Sequence, residues 1–304
     1  MSNNNDNDNK EESLVETVPA VAFKRSSNCK LPDWTLNPKS KDLAFQYFTI
    51  DQLYTESKSK SFRLPQRSVI EEAGYTHAWL FQTPIVDCPN MLKRMLDEIK
   101  THEYTDHVDV ETNKYYTTIE EMIQDAMKLG CDGVVNCTGL GSSQLCNDSQ
   151  LVGARGILLH YDRTSCEWTE NEQQDMKESV VLIEEQPFGC DSHPCYMIPR
   201  GDVIAVGGTY LEGDEEKSIR KDEREMLLTN AQRMGIDTDK SKPVNEWVGF
   251  RPYRPECRLE VDEMLSSSSG VRVVHSYGYG GSGWTVYVGT ARDAAELILQ
   301  AEQR

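Results

Sequence analysis

The chain has 304 residues, 38% of them hydrophobic and 27% charged, with a formal charge of −18 and a mean hydropathy of −0.59, enough for a sizeable core in one large domain or two modest ones. The acidic balance argues against nucleic acid as a partner, because phosphate binding draws on Lys and Arg, and no apolar run approaches the roughly 18 residues that suggest a bilayer span. The opening MSNNNDNDNKEE lacks the basic stretch and apolar core of a secretory signal, and the nine cysteines, odd in number and scattered, read as reduced thiols in an intracellular compartment.

Residues 1–30, rich in Asn, Asp, Glu and Ser, are expected to form a disordered polar tail in which only VPAVAF could anchor anything. FTIDQLY (48–54) and YTHAWLFQTPIV (75–86) read as strands. A helix follows in DCPNMLKRMLDEIKTH, with Asp87 as N-cap, Pro89 in the first turn and an apolar stripe of Met91, Leu92, Met95, Leu96 and Ile99. A second lies in TTIEEMIQDAMKLG, opened by a Thr118–Glu121 capping box and stopped by Gly130. CDGVVNCTGLGSS (131–143) is a short buried strand, 133–137, running into the turn Thr138-Gly139-Leu140-Gly141; helix, strand and small-residue turn form the edge of an α/β layer, where ligands bind. GARGILLHYD, SVVLIEEQPF, CYMIPRG and DVIAVGGTY are short β-rich runs at hairpin spacing. A helix near 220–234 precedes EWVGFRPYRPECRLE, and VRVVHSY leads into a glycine loop and a last amphipathic helix bearing Trp284, Val288, Ala291, Ala295 and Ile298. The predicted class is mixed α+β: an α/β layer from separated segments (87–150 and 259–304) and an antiparallel β-rich domain (31–86 and 151–258).

Gly278, Gly280 and Gly283 spell G-x-G-x-x-G after an apolar strand. The chain beyond Gly283 has room for one helix, so the loop cannot open a complete dinucleotide-binding unit. It could present amides and a helix N-terminus to an anion or an electron-rich ring; a ligand-free strand-to-helix turn is the alternative. Its neighbours sharpen the choice. VVNCTGLGSS, VGARGILL, CYMIPRG, GGTY, VGFRPYRPECRLE and VVHSYGYGGSGWTVYVGTARDAAEL occur in that order, and together they resemble the D-amino-acid oxidase family, which includes D-aspartate oxidases, over roughly residues 31–300.

The resemblance implies FAD held between a nucleotide-binding domain (here 87–150 and 259–304) and the β-rich substrate domain, with the glycine loop as the C-terminal wall of the FAD site. The family's N-terminal strand with its own G-x-G-x-x-G is expected to be missing, since residues 1–30 offer only the polar tail. The implied reaction is oxidation of a D-amino acid by dioxygen to a 2-oxo acid, ammonia and hydrogen peroxide. Arg251 of GFRPYRP would bind the substrate carboxylate, its planar guanidinium matching it bidentately; a surface ion pair is the alternative. Tyr196 of CYMIPRG matches a tyrosine that also donates to the carboxylate, or is a core strand tyrosine. Ser192 stands where a second tyrosine is frequent and Cys195 reads as an insertion. The Gly281 carbonyl corresponds to the acceptor for the substrate amine. Gly280, Gly281, Ser282, Gly283, Trp284 and Thr285 would wrap the flavin, and Cys137, Thr138 and Gly139 match the strand-end turn beside it, or simply end a strand. Tyr279 occupies a frequent His position, and Arg254 reads as structural. Cys190, His193 and Cys195 lack a fourth zinc ligand, and Ser282 lacks the glycine of a nucleophile elbow, so no metal is expected. The resemblance leaves a homodimer open. The terminal AEQR lacks an S-K-L address, which favours the cytoplasm over the family's frequent peroxisomal residence. Two further readings stay open: a cofactor-free, inactive member of the family acting as an interaction protein or remnant, and a binding module that keeps Arg251 without redox chemistry.

Overall fold

The structure, a computed structural model, describes residues 14–25, 32–102, 111, 113–169, 175–185, 188 and 193–300. Their strands are β1 (Val15–Lys24), β2 (Gln46–Thr49), β3 (His77–Val86), β4 (Gly133–Asn136), β5 (Val152–Asp162), β6 (Val180–Ile183), β7 (Cys195–Arg200), β8 (Val203–Gly207), β9 (Leu211–Glu212), β10 (Asn245–Val261) and β11 (Arg272–Tyr279). The helices are α1 (Ile50–Lys60), α2 (Arg67–Glu72), α3 (Cys88–Thr101), α4 (Ile119–Lys128), α5 (Gly141–Leu145), α6 (Lys221–Arg233), α7 (Glu263–Ser269) and α8 (Gly283–Leu299). The class is mixed α/β with mostly antiparallel strand pairing, as the sequence predicts. Two compact units divide the chain: Met1–Asp109, Leu158–Gly208 and Arg220–Glu246 form the first, and Val110–Ile157, Thr209–Ile219 and Trp247–Arg304 the second.

In the first unit the strand order is β2-β3-β1-β6-β7-β8, followed by the second half of β5. Val21, Phe23, Leu159, Ile183, Met197 and Val206 are fully or almost fully buried there. The expected N-terminal tail is corrected at residues 15–24, which form β1 and pair with β3 along their whole length. Pro19, which removes a donor, hides this strand from a sequence reading. Its position is tolerable because the parallel pairing to β6 runs only over Ala20–Ala22. The remainder of the expected tail that lies at 1–13 and 26–30, together with Cys190, Ser192 and the terminal AEQR, falls outside the described residues. FTIDQLY is corrected too. Its strand stops at Thr49, where a Thr49–Gln52 capping box starts α1.

In the second unit β5, β10, β11 and β4 lie side by side, with β9 added to β5. Asp87 in the first unit and Thr118 in the second cap α3 and α4 as expected, and the Glu121 carboxylate accepts from the Thr117 amide at 2.7 Å. Gly130 takes φ +73° at the end of α4, the left-handed value that glycine adopts freely. Ile119, Ile123, Ala126, Leu145, Val271 and Val273 form this unit's apolar cluster. On α8 the only buried side chain is Ala294; Ile298 lies over Gly133, where a Cβ would come within 2.7 Å of it.

Candidate active site

β4 and β11 run parallel, with Asn136 opposite His275. Both strands therefore release their chain into a helix at the same edge, the place where open α/β layers take ligands. After β11, Gly278 and Gly280 adopt φ +88° and +56°, a 3-10 turn covers Gly280–Ser282, and α8 starts at Gly283 without a side-chain cap. Among the described residues no side chain is recorded as accepting from its first amides, Gly283, Trp284 and Thr285, and the positive end of the helix dipole lies there. Nothing approaches within 4 Å of where a Gly283 Cβ would sit. After β4, Cys137 is exposed and Gly139 takes φ +56°. Cys137, Thr138 and Gly139 thus follow β4 at the edge from which β11 runs on toward Gly280–Thr285. Open amides, three left-handed glycines and free space fit an anionic or planar group of the FAD type.

A polar network built on buried Asn136 fixes the turn after β4. The Asn136 side chain is fully buried, and its Oδ1 accepts from the Thr138 amide at 3.1 Å and the Thr138 hydroxyl at 2.8 Å. With Oδ1 occupied, Nδ2 faces His275 Nδ1 at 3.2 Å, so His275 accepts there and directs Nε2–H to Asp262 Oδ2, 3.4 Å away. Burial, reinforced by the nearby Arg258 charge, holds the His275 imidazole below its usual value, against the pull of Asp262. Burial also raises the Tyr277 phenol, to about 12; its hydroxyl donates to Asp148 at 3.0 Å. Burial pushes Asp148 upward, but the bonds from Tyr277, the Gln150 amide and Arg254 prevail and hold it low. Asn136 and His275 escape a sequence reading because each is a polar residue at the end of an apolar run, GVVN and RVVH. That break in pattern is the signal that could have found them.

Arg251, on β10, lies across β5. A Cβ on Gly156 would come within 2.3 Å of its Nη1, so the guanidinium occupies the space that glycine leaves. Nη1 donates to the Thr209 carbonyl at 3.2 Å, the guanidinium carbon sits 5.5 Å from the centre of the Tyr210 ring, and a Cβ on Gly281 would be 3.4 Å from Arg251 Cδ. Among the described residues no carboxylate pairs with Arg251, whereas Arg254 is engaged by Asp148 at 3.0 Å. Tyr210 and Tyr253 meet edge to face beside Gly280, each with an atom 3.6 Å from where its Cβ would be. The second unit thus brings together Arg251, Gly280 and Gly281. Tyr196 lies in the first unit, on β7 opposite Gly207, where a Cβ would come within 2.4 Å of its ring. Trp284 is partly exposed and packs on Tyr287. The seven described cysteines are free thiols.

The profile of a family described as FAD dependent oxidoreductase matches residues 53–297. Human D-aspartate oxidase is 31% identical over 185 residues, which cover 60% of this chain and 49% of that protein. D-amino-acid oxidase of Dictyostelium discoideum is 29% identical over 244 residues, 79% of this chain and 62% of its own length. The chain therefore spans roughly half to three fifths of these relatives. In fold it is similar to glycine oxidase of Bacillus cereus, with a TM-score of 0.61 at 12% identity over 96% of this chain and 74% of that one. The chain belongs to the FAD dependent oxidoreductase family.

Proposed function

We propose that this chain oxidises D-amino acids, with Arg251 as the anchor of the substrate carboxylate. The observation that carries the reading is the partly buried guanidinium of Arg251, with no carboxylate partner among the described residues, next to the glycine turn at Gly281. An arginine held between a backbone carbonyl and an aromatic ring, with no protein carboxylate on it, keeps its remaining donors for a ligand, and two parallel hydrogen bonds to a carboxylate would fix that ligand's orientation. The names of the relatives, D-aspartate oxidase and D-amino-acid oxidase, support the substrate class.

FAD, when bound, supplies the acceptor for the hydride from Cα and the route of the electrons to dioxygen. The chain's own contribution is to bind and orient. Gly280–Thr285 and Cys137–Gly139 would hold the flavin with backbone amides, the unscreened start of α8 favouring negative charge there. Arg251 would hold the carboxylate and the Gly281 carbonyl accept from the substrate amine. Positioning of this kind needs no side-chain base once the amine is neutral. The 2-oxo acid, ammonia and hydrogen peroxide are the products of this reading. The test is turnover of a series of D-amino acids by the FAD-loaded chain and by Arg251→Ala. A loss of kcat/KM of about 100-fold or more for carboxylate-bearing substrates is expected from removing a charged, bidentate contact. Unchanged kinetics would take Arg251 out of the site.

A further inference from the structure

Arg155 is the largest wholly buried side chain among the described residues. It sits on β5 immediately before Gly156, the residue that makes room for Arg251. A guanidinium this deep is tolerated only if its donors are met, and one segment meets several of them. Nε donates to the Glu216 carbonyl at 2.6 Å, Nη2 to the Ser218 carbonyl at 2.5 Å, and Nη1 lies 3.9 Å from Asp214 Oδ2. The main chain of the same residue takes the other end. Its carbonyl accepts from the Thr209 hydroxyl at 3.4 Å, and Arg155 pairs with Leu211 across β5 and β9. Thr209–Ser218 is thereby tied to Arg155 at both ends, and the same segment supplies the two groups that set Arg251, the Thr209 carbonyl and the Tyr210 ring.

We propose that Arg155 is a positioning residue for Arg251: it clamps residues 209–218 so that the Thr209 carbonyl and the Tyr210 ring hold the guanidinium in one orientation for a carboxylate. This rests on the reading of Arg251 as the carboxylate anchor. A purely structural Arg155 would support the fold without regard to the ligand's charge. A positioning Arg155 acts on the charged ligand alone, because what it secures is the direction of Arg251's donors.

The experiment is an NMR titration of the full chain with propionate and with propionamide, a ligand of the same shape without the charge, alongside thermal melts. Wild type is compared with Arg155→Gln, Arg155→Lys, Glu216→Ala and, as reference, Arg251→Lys. Glu216→Ala leaves Arg155 in place but loosens its target, because the exposed Glu216 carboxylate accepts from the Ser218 amide at 2.9 Å and hydroxyl at 2.7 Å. The expected result is propionate binding weakened about tenfold or more by Arg155→Gln, consistent with the cost of misplacing a contact by about 1 Å, less by Arg155→Lys and Glu216→Ala, with propionamide binding unchanged. Arg155→Gln and Glu216→Ala proteins that fold and bind propionate like wild type, while Arg251→Lys is weakened, would overturn the positioning role and leave the anchor standing. If Arg155→Gln does not fold, Glu216→Ala decides. Propionate binding that Arg251→Lys does not alter, or a wild type that does not prefer propionate to propionamide, would remove the anchor and the positioning role together.

Discussion

Gly156→Ala is the substitution on which the geometry of the carboxylate site can be tried most cleanly. Gly156 is buried on β5 in ordinary, not left-handed, backbone conformation, so alanine brings no backbone strain. Its methyl group would sit 2.3 Å from Arg251 Nη1 and 2.7 Å from Cζ and Nη2, against a comfortable separation of about 3.5 Å or more. The guanidinium must therefore move by about 1 Å. All three atoms belong to the far end of a flexible side chain, so the movement costs the fold little, and replacing a strand glycine returns a few tenths of a kcal/mol to about 1 kcal/mol through the unfolded state. The carboxylate should feel the displacement fully. Losing one of two charge-assisted hydrogen bonds is worth about 1.5–3 kcal/mol, or roughly a tenfold to hundredfold rise in KM. Steady-state kinetics with D-amino acids, paired with a thermal melt, reads both quantities. A melting temperature within a few degrees of wild type and a KM raised at least tenfold are expected; an unchanged KM in a folded protein would refute the placement of the carboxylate on Arg251.

Asn136→Ala should destabilise the second unit by about 1–3 kcal/mol in urea unfolding, because it removes the acceptor of the Thr138 amide and hydroxyl and leaves the buried Ser142 and His275 without it; a loss below about 0.5 kcal/mol would show that the network relaxes without it. It should also weaken FAD binding, followed by quenching of flavin fluorescence. His275 predicts a pH dependence: its folded pKa is held below the free value of 6.5, chiefly by burial, so below about pH 6.5 the unfolded chain binds more protons and stability falls as pH drops, while above that pH the contribution is fully present. The slope is at most about 1.4 kcal/mol per pH unit per histidine. His160 is lowered by burial in the same way, so His275→Gln should flatten the slope between pH 6.5 and 5 without abolishing it; identical slopes would contradict the assignment. Arg254→Gln should cost stability through Asp148, with KM unchanged.

What the sequence discloses depends on whether a residue's local pattern and its tertiary role agree. Asp87 with Pro89 and Thr118 with Gly130 mark α3 and α4 because caps are short-range chemistry. The glycine turn and the strand-end turn at Thr138 are visible as motifs, yet only the fold shows that the strands leading into them, β4 and β11, run parallel side by side. β1 is hidden by Pro19, and the start of α1 by a β-like run of Phe48, Thr49 and Ile50 that a Thr49–Gln52 box converts into a helix. Arg155 is invisible in GARGILLHYD for a different reason. Alternation along a strand offers no rule for an arginine that is wholly buried by main-chain carbonyls sixty residues later. Arg251 reads as functional from GFRP by resemblance, and that no carboxylate among the described residues pairs with it can be seen only in the folded chain.

The most direct test is the visible spectrum of the full chain loaded with FAD, freed of excess cofactor and mixed with a D-amino acid without oxygen. The account predicts a bound flavin spectrum that bleaches with the D-enantiomer, does not bleach with the L-enantiomer, and needs at least tenfold more substrate in Gly156→Ala. A folded chain that retains no flavin, or a bound flavin that no D-amino acid bleaches, would contradict it.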